Sequence, residues 1–416
     1  MAKCAFAFDS LYFRGYAGFL GDFTSNPAKD SLDLQLFPRG YFAGQLDVGD
    51  RLFIRSEFLV QSSSANPSTN LFSGDFFESP KGENANFRIQ ELSATYRLNG
   101  GGATHYFSGF YGEYEPIGSD IFLQRYLGTN KITSELTESW IGLNGVSINK
   151  FYGGGLSYTL RFDAPVAAGV SFYKDFYQEQ ERAYNLDIRL AGIFSFLTFD
   201  ASAGLEIPKS SRKVHEKKYI LAVQYLVLHA GLNMLVGLPS DTATLFIQGG
   251  FSDLLIDPDA DKTVDLEDIA ESFSLLLEPR ISLRQVKLAF SAFSLNPENL
   301  STGMYIYLQD ALGFDIHIST NYFHLGSTNF TLGLHTTFGL NYQDGTGGYL
   351  TLKSAIDDKD NASDWQKNIY LTPYTDIPVK GGNISSSFTF RVNELFKFKD
   401  NWESNIHFRL GFRSEF

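Results

Sequence analysis

The densest set of possible ligands is "DPDADKTVDLED", residues 257–268. Asp257, Asp259, Asp261, Thr263, Asp265 and Asp268 stand at positions 1, 3, 5, 7, 9 and 12 of a calcium-loop spacing, and oxygens so placed can wrap one hard cation. Lys262 occupies the position where that loop needs glycine, and Asp268 is shorter than the usual bidentate Glu. No helix pair flanks the run. The plainer reading is an acidic surface loop; Ca²⁺ is the one cofactor the spacing offers, and no other is expected.

Catalytic signatures are missing. The sequence has no nucleophile elbow, no H-E-x-x-H helix and no P-loop, and its seven histidines are scattered. Cys4 is the one cysteine, which excludes an internal disulfide and a Cys-based zinc site. A net charge of −13 argues against nucleic acid as partner. The expectation is a protein that is not an enzyme.

A larger charged set shares one periodicity. Arg14, Arg51, Arg55, Arg97, Arg161, Arg189, Arg280, Arg284, Arg391, Arg409 and Arg413 alternate with apolar neighbours, and Asp47, Glu57, Glu91, Asp163, Asp187 and Glu278 fall on the same face. Arginine outnumbers carboxylate there, although the whole chain is acidic. Facing rows of arginine and carboxylate give a transverse field that orients polar solutes in a narrow pore. They also give cross-strand pairs that stiffen a wall. Both roles stay open.

The elements that must position these charges are β-strands. In "NIHFRLGFRSEF", residues 405–416, Ile406, Phe408, Leu410, Phe412 and Phe416 alternate with His407, Arg409, Arg413 and Glu415. In "NLDIRLAGIF", Leu186, Ile188 and Leu190 oppose Asn185, Asp187 and Arg189. "SFSLLLEPRISLR", "ISSSFTFRV" and "RLFIRSEFLVQ" repeat the pattern around Glu278 and Arg280, Arg391, and Arg55 and Glu57. Each run has about ten residues, enough to cross a bilayer core as a tilted strand. The charged face then meets water inside a barrel, and the apolar face meets lipid. Charged residues at 19% and aromatics at 15% suit a wall with two such faces.

Connections alternate in length. Short ones fall at Asp47–Asp50, Asn99–Ala103, Asp163–Val166, near Phe196, near Arg284–Gln285 and at Lys380–Asn383; long polar ones fall at 62–85, 116–140, 209–217, 255–271 and 343–367. Short turns are periplasmic and long loops external in barrels of this class. The parity predicts about 18 strands (16–20), all-β and antiparallel, with both termini periplasmic. An even number closes the sheet and leaves no edge. Two segments are less clear-cut. Residues 219–238 are apolar enough for a membrane helix but read better as one long strand with a register slip near His229. The run 350–357 reads as a hairpin extension. Ala5-Phe6-Ala7 fits a signal-peptidase site, so 1–7 reads as a signal-peptide remnant and 8–416 as a single barrel domain with extracellular loops.

Arg409, Gly411 and Phe416 resemble the C-terminal assembly signal of Gram-negative outer-membrane β-barrel proteins, with Ser414 standing where an aromatic is usual. Size and hairpin rhythm resemble the 16- to 18-stranded porins. The resemblance implies an outer-membrane channel for passive diffusion of small polar solutes; the arginine excess adds an expected anionic preference. Outer-membrane lipid, lipopolysaccharide and the barrel assembly machinery are the implied partners, and a homotrimer the implied assembly. Third loops of porins often fold into the channel. Here that loop is 113–140, and its "IFLQRYLG" carries apolar residues at helical spacing that need a surface. On the inner wall, they leave Glu115, Asp120, Arg125 and Lys131 to line a constriction; otherwise the loop is an outer cap. A fatty-acid or other hydrophobic-substrate transporter and a surface adhesive or structural barrel are the alternative functions.

Overall fold

The period-2 segments become strands of one closed sheet. The computed structural model describes residues 11–25, 34–61, 86–128, 132–138, 148, 151–176, 182–208, 213–214, 217–218, 226–238, 240–256, 273–295, 304–308, 310–325, 328–342, 350–357, 365–395 and 406–416. The calcium-loop candidates Asp257, Asp259, Asp261, Thr263, Asp265 and Asp268, the segment 1–7 and Lys131 lie outside them.

The first nine strands are β1 (Leu11–Ser25), β2 (Leu34–Val48), β3 (Leu52–Gln61), β4 (Asn86–Gly100), β5 (Ala103–Gly112), β6 (Gly153–Phe162), β7 (Val166–Asp175), β8 (Arg182–Ile193) and β9 (Leu197–Pro208). A two-residue pair follows, β10 (Lys213–Val214) and β11 (Lys217–Lys218). Then come β12 (Leu226–Val236), β13 (Ala243–Ile256), β14 (Phe273–Ser282), β15 (Val286–Ser294), β16 (Leu312–Leu325), β17 (Thr328–Tyr342), β18 (Trp365–Val379), β19 (Gly382–Arg391) and β20 (Ile406–Glu415). Setting β10–β11 aside, every strand pairs antiparallel with its sequence neighbours, β9 pairs with β12, and β20 returns to β1. The result is an 18-stranded closed antiparallel barrel.

Alternation fixes the two faces. Leu186, Ile188 and Leu190 are exposed on the outside of β8, while Asn185 next to Leu186 is buried inside. Phe412 and Leu410 point outward, and His407 and Arg409 are buried inward. An exterior of exposed Phe, Leu and Ile suits lipid, and a closed sheet has no edge strand to expose backbone groups there. This is a transmembrane β-barrel.

The seam uses the last residue. Beyond the β1–β20 ladder, the Gly15 N–H donates to the Phe416 carbonyl (2.8 Å) and the Phe416 N–H to the Gly15 carbonyl (2.9 Å). The Phe416 ring stacks on Phe13 and Phe42 at 5.6 and 6.0 Å. Gly15 is required: a Cβ there would lie 2.3 Å from the Ala43 oxygen and 3.0 Å from the Phe416 ring. Leu11 pairs with Val48, which leads into the short β2–β3 turn, so β1 starts and β20 finishes at the short-turn end of the barrel.

The slip expected near His229 is a bulge in the β12–β13 register between Leu228 and Ala230. The hairpin expected at 350–357 is instead a short helix, Leu352–Asp357, behind a fully buried Leu350. Among the described residues the run has no partner strand, and Leu, Lys and Ala are good helix formers.

Candidate functional site: a lumen narrowed by two inward segments

The segment after β5 turns into the barrel. Phe122, Leu123 and Tyr126 lie on one side of a single wide turn, Leu123–Leu127, and all three are buried. They pack against Tyr106, Ala167, Ala191, Leu235, Phe246 and Leu276 of the inner wall. Of the two placements open to this loop, the inner wall is the one adopted.

Wall polar groups hold its backbone. The Gly118 carbonyl accepts from Asn233 Nδ2 (2.5 Å) and Gln248 Nε2 (2.8 Å). Arg189 donates to the carbonyls of Glu115 (2.7 Å) and Ser119 (3.0 Å). Further along, the Glu278 carboxylate accepts from Ser134 Oγ, the Glu135 N–H (2.9 Å) and the Leu136 N–H (3.3 Å). Two conformations mark the entry: Glu115 has φ 49°, uncommon for a residue with a side chain, and Gly118 has φ 93°. Gly118 also has no room for a Cβ, since Ile148 N would lie 2.7 Å from it.

Wall glycines act as sockets. A Cβ at Gly169 would meet the Phe122 ring at 3.1 Å, and one at Gly231 would meet Ile117 at 2.5 Å and Ile148 at 2.8 Å. The loop side chains fill the space these missing side chains leave.

A second segment enters from the β15–β16 connection. Arg409 Nη1 donates to the carbonyls of Met304 and Ile306, both at 2.7 Å. Asp310 sits over Gly339 and accepts from Asn368 Nδ2 at 2.9 and 3.0 Å. Met304, Ile306 and Leu308 join the apolar cluster of Ile132 and Leu136, and the Tyr305 N–H reaches the Glu138 carbonyl at 3.2 Å. Two loops therefore meet inside the lumen. The sequence reading missed this one; its signal was Met304, Ile306 and Leu308 at period 2 in a stretch too short for a strand of its own.

Two solved structures share this architecture. A BenF-like porin from Pseudomonas fluorescens Pf-5 is 10% identical, with 98% of this chain and 99% of that chain covered at a TM-score of 0.54. The outer membrane protein opdK from Pseudomonas aeruginosa is 9% identical, with 98% and 99% covered at a TM-score of 0.53. The chain has the porin fold. No family model matches the sequence, and no curated protein matches it.

Within the porin fold the predicted charges sort into three groups. Mid-barrel arginines are paired. Arg55 contacts Glu57 and Glu91 (3.7 Å); Arg280 contacts Glu278 (2.7 Å); Arg189 contacts Asp200 (2.6 Å); Arg409 contacts Asp22 (3.5 Å). Asp187 binds His229 (2.9 Å) and the Tyr173 hydroxyl (3.0 Å) instead of an arginine. Arg391 donates to the Asn368 side-chain oxygen. Toward the short-turn end Arg14–Asp47 is 3.9 Å and Arg97–Asp50 is 3.8 Å, whereas Arg413 meets Glu415 at 2.9 Å. Arg51, Arg161, Asp163 and Arg284 are exposed there, and Arg51, Asp163 and Arg284 stand in turns, not on strands. Asp22 and Asp200 were absent from the predicted set, although Asp22 shares parity with Arg14 on β1.

Of the constriction candidates, Glu115 and Asp120 are buried and Arg125 is half-buried, and each is engaged by neighbouring groups. Arg125 bridges Glu91 (2.8 Å) and Glu115 (2.8 Å), and Asp120 caps the Ile132 N–H at 3.2 Å. The reason is desolvation: a charge pressed against the wall must be paired. Burial, aided by Glu115, pushes the neighbouring Tyr114 hydroxyl up to about 12.

Proposed function

We propose that the chain is an outer-membrane, porin-like channel for passive diffusion of small polar solutes. The observation that carries this reading is a closed barrel with an apolar exterior, a polar interior and a loop docked inside it. The short-turn end, with both termini, faces the periplasm, and Phe416 belongs to a signal read by the assembly machinery. Lipopolysaccharide contacts and a homotrimer are parts of the same proposal.

The arginines divide the ion preference. At mid-barrel each of Arg55, Arg125, Arg189, Arg280 and Arg409 has a carboxylate partner, so these serve as struts. At the short-turn mouth Arg14, Arg51, Arg97, Arg161 and Arg284 face Asp47, Asp50 and Asp163, which leaves a small positive excess whose field reaches over a Debye length of about 8 Å at physiological salt. A weak anion preference set at that mouth follows. Purified protein in planar bilayers is expected to show discrete conductance steps. Folded protein that never conducts, in bilayers or in liposome swelling with small sugars, would overturn the channel reading.

A further inference from the structure

Just inside the short-turn mouth, a cavity of about 290 Å³ opens between the two inward segments and the wall of β14–β18. Its lining carries separated charges. Arg284, from the β14–β15 turn, forms one side and makes no ion pair among the described residues. Asp376, on β18, forms the other, and Glu138 of the first inward segment lines the same side. Asn383 Nδ2 and Ser385 Oγ both donate to Asp376 Oδ1, and among the described residues only neutral groups steady that carboxylate. Lys287, also in the lining, is already engaged with Glu135 at 3.7 Å. β15 and β18 lie roughly 14 Å apart along the wall, three spacings of about 4.8 Å. Arg284 and Asp376 therefore do not neutralise each other.

Two aromatic rings stand beside the carboxylate. Tyr305, from the second inward segment, and Tyr374, on β18, both line the cavity with centroids 4.5 Å apart. A flat aromatic face next to a carboxylate favours an ammonium group, by charge and by the ring quadrupole. Gly333 makes the arrangement possible: a Cβ there would fall 2.1 Å from the Tyr374 ring, which lies flat on the wall in that space.

We propose that this chamber binds small zwitterions in transit, with the ammonium between Asp376 and the Tyr305–Tyr374 pair and the carboxylate toward Arg284. The proposal rests on the channel reading and names its preferred solute class. A purely anionic solute gains Arg284 but meets Asp376 and Glu138; a purely cationic one gains the two carboxylates but meets Arg284. The zwitterion alone satisfies both.

The test uses probes of one shape. γ-Aminobutyrate, butyrate and butylamine are titrated by calorimetry against the full chain in detergent, and as blockers of single-channel current. γ-Aminobutyrate is expected to bind about tenfold tighter than either single-charge probe, the equivalent of one charge-assisted hydrogen bond. Asp376→Asn together with Glu138→Gln is expected to reduce it to the level of butyrate. Arg284→Gln, in an exposed turn where folding is not at stake, is expected to reduce it to the level of butylamine. Equal affinity for all three probes, or an advantage that survives both substitutions, overturns the proposal. Binding and conductance are read separately. Conductance without preferential binding removes the site and keeps the channel; preferential binding without conductance keeps the site and removes the channel.

Discussion

Glu278 is the residue whose loss tests whether the constriction is held from the wall. Its carboxylate is fully buried and takes three loop donors, Ser134 Oγ, the Glu135 N–H and the Leu136 N–H, besides Ser291 Oγ (2.6 Å) and Arg280 Nε (2.7 Å). Arg280 in turn donates to the Thr133 carbonyl at 2.8 Å. Glu278→Gln keeps the shape and removes the charge. Whichever way the amide turns, one loop N–H faces a donor, because Glu135 and Leu136 address different oxygens. Hydrogen bonds to a charged acceptor contribute about 1.5–3 kcal/mol each, so losing that one costs roughly 1.5–3 kcal/mol. That lowers the docked-to-undocked ratio for residues 132–138 by about one to two orders of magnitude. The earlier part of the loop stays anchored through Asn233, Gln248 and Arg189. The expected outcome is therefore local: larger single-channel conductance and more open-channel noise, with heat-modifiable gel migration unchanged. Ser134→Ala, which removes one donor, moves conductance the same way by less. A folded Glu278→Gln barrel with wild-type conductance and noise refutes the reasoning.

Four further outcomes are expected. The purified chain gives a β-dominated circular dichroism spectrum and migrates differently in gels before and after heating; a helix-dominated spectrum contradicts the barrel. Deleting Phe416 or making it Asp removes the bonds to Gly15 and the stack on Phe13 and Phe42, so outer-membrane levels fall several-fold by surface labelling; Ser414→Tyr is tolerated at the cost of one bond to the Gly381 carbonyl. Gly231→Val drives Ile117 and Ile148 from their socket and raises conductance while the barrel still folds, which gel migration and bilayer recording check together. Reversal potentials in a salt gradient show a small anion preference that Arg284→Gln lowers and Arg189→Gln does not; cation preference in the wild type contradicts the positive excess at the mouth.

The barrel was legible because its information is local. In "NIHFRLGFRSEF" each residue's face follows from its parity, and a strand slipped by one would put Arg409 in lipid and Phe408 in the lumen. Turn positions carried the strand count: "DVGD", "NGGGA" and "KGGN" all became short connections at one end. Where local propensity and partner availability disagreed, at 350–357, the reading failed and a helix formed.

The lumen was legible only in composition, because what fills it depends on residues far apart in sequence. Nothing around Gly169 announces that Phe122 will occupy its face, and nothing around Gly231 points to Ile117 and Ile148. A glycine facing inward on a barrel strand reads as a weak strand residue until its occupant is known. The same distance explains the arginines. Arg189 was placed on the right face, yet its partners are Asp200 on the next strand and two carbonyls some seventy residues upstream. A charge inside a wide water-filled pore stays free; one pressed under a loop must be paired. Once Phe122, Leu123 and Tyr126 occupy the wall, the arginines beneath them become its fastenings. On the channel reading proposed above, selectivity then falls to charges beyond the reach of the loops, at the short-turn mouth and in the chamber between Arg284 and Asp376.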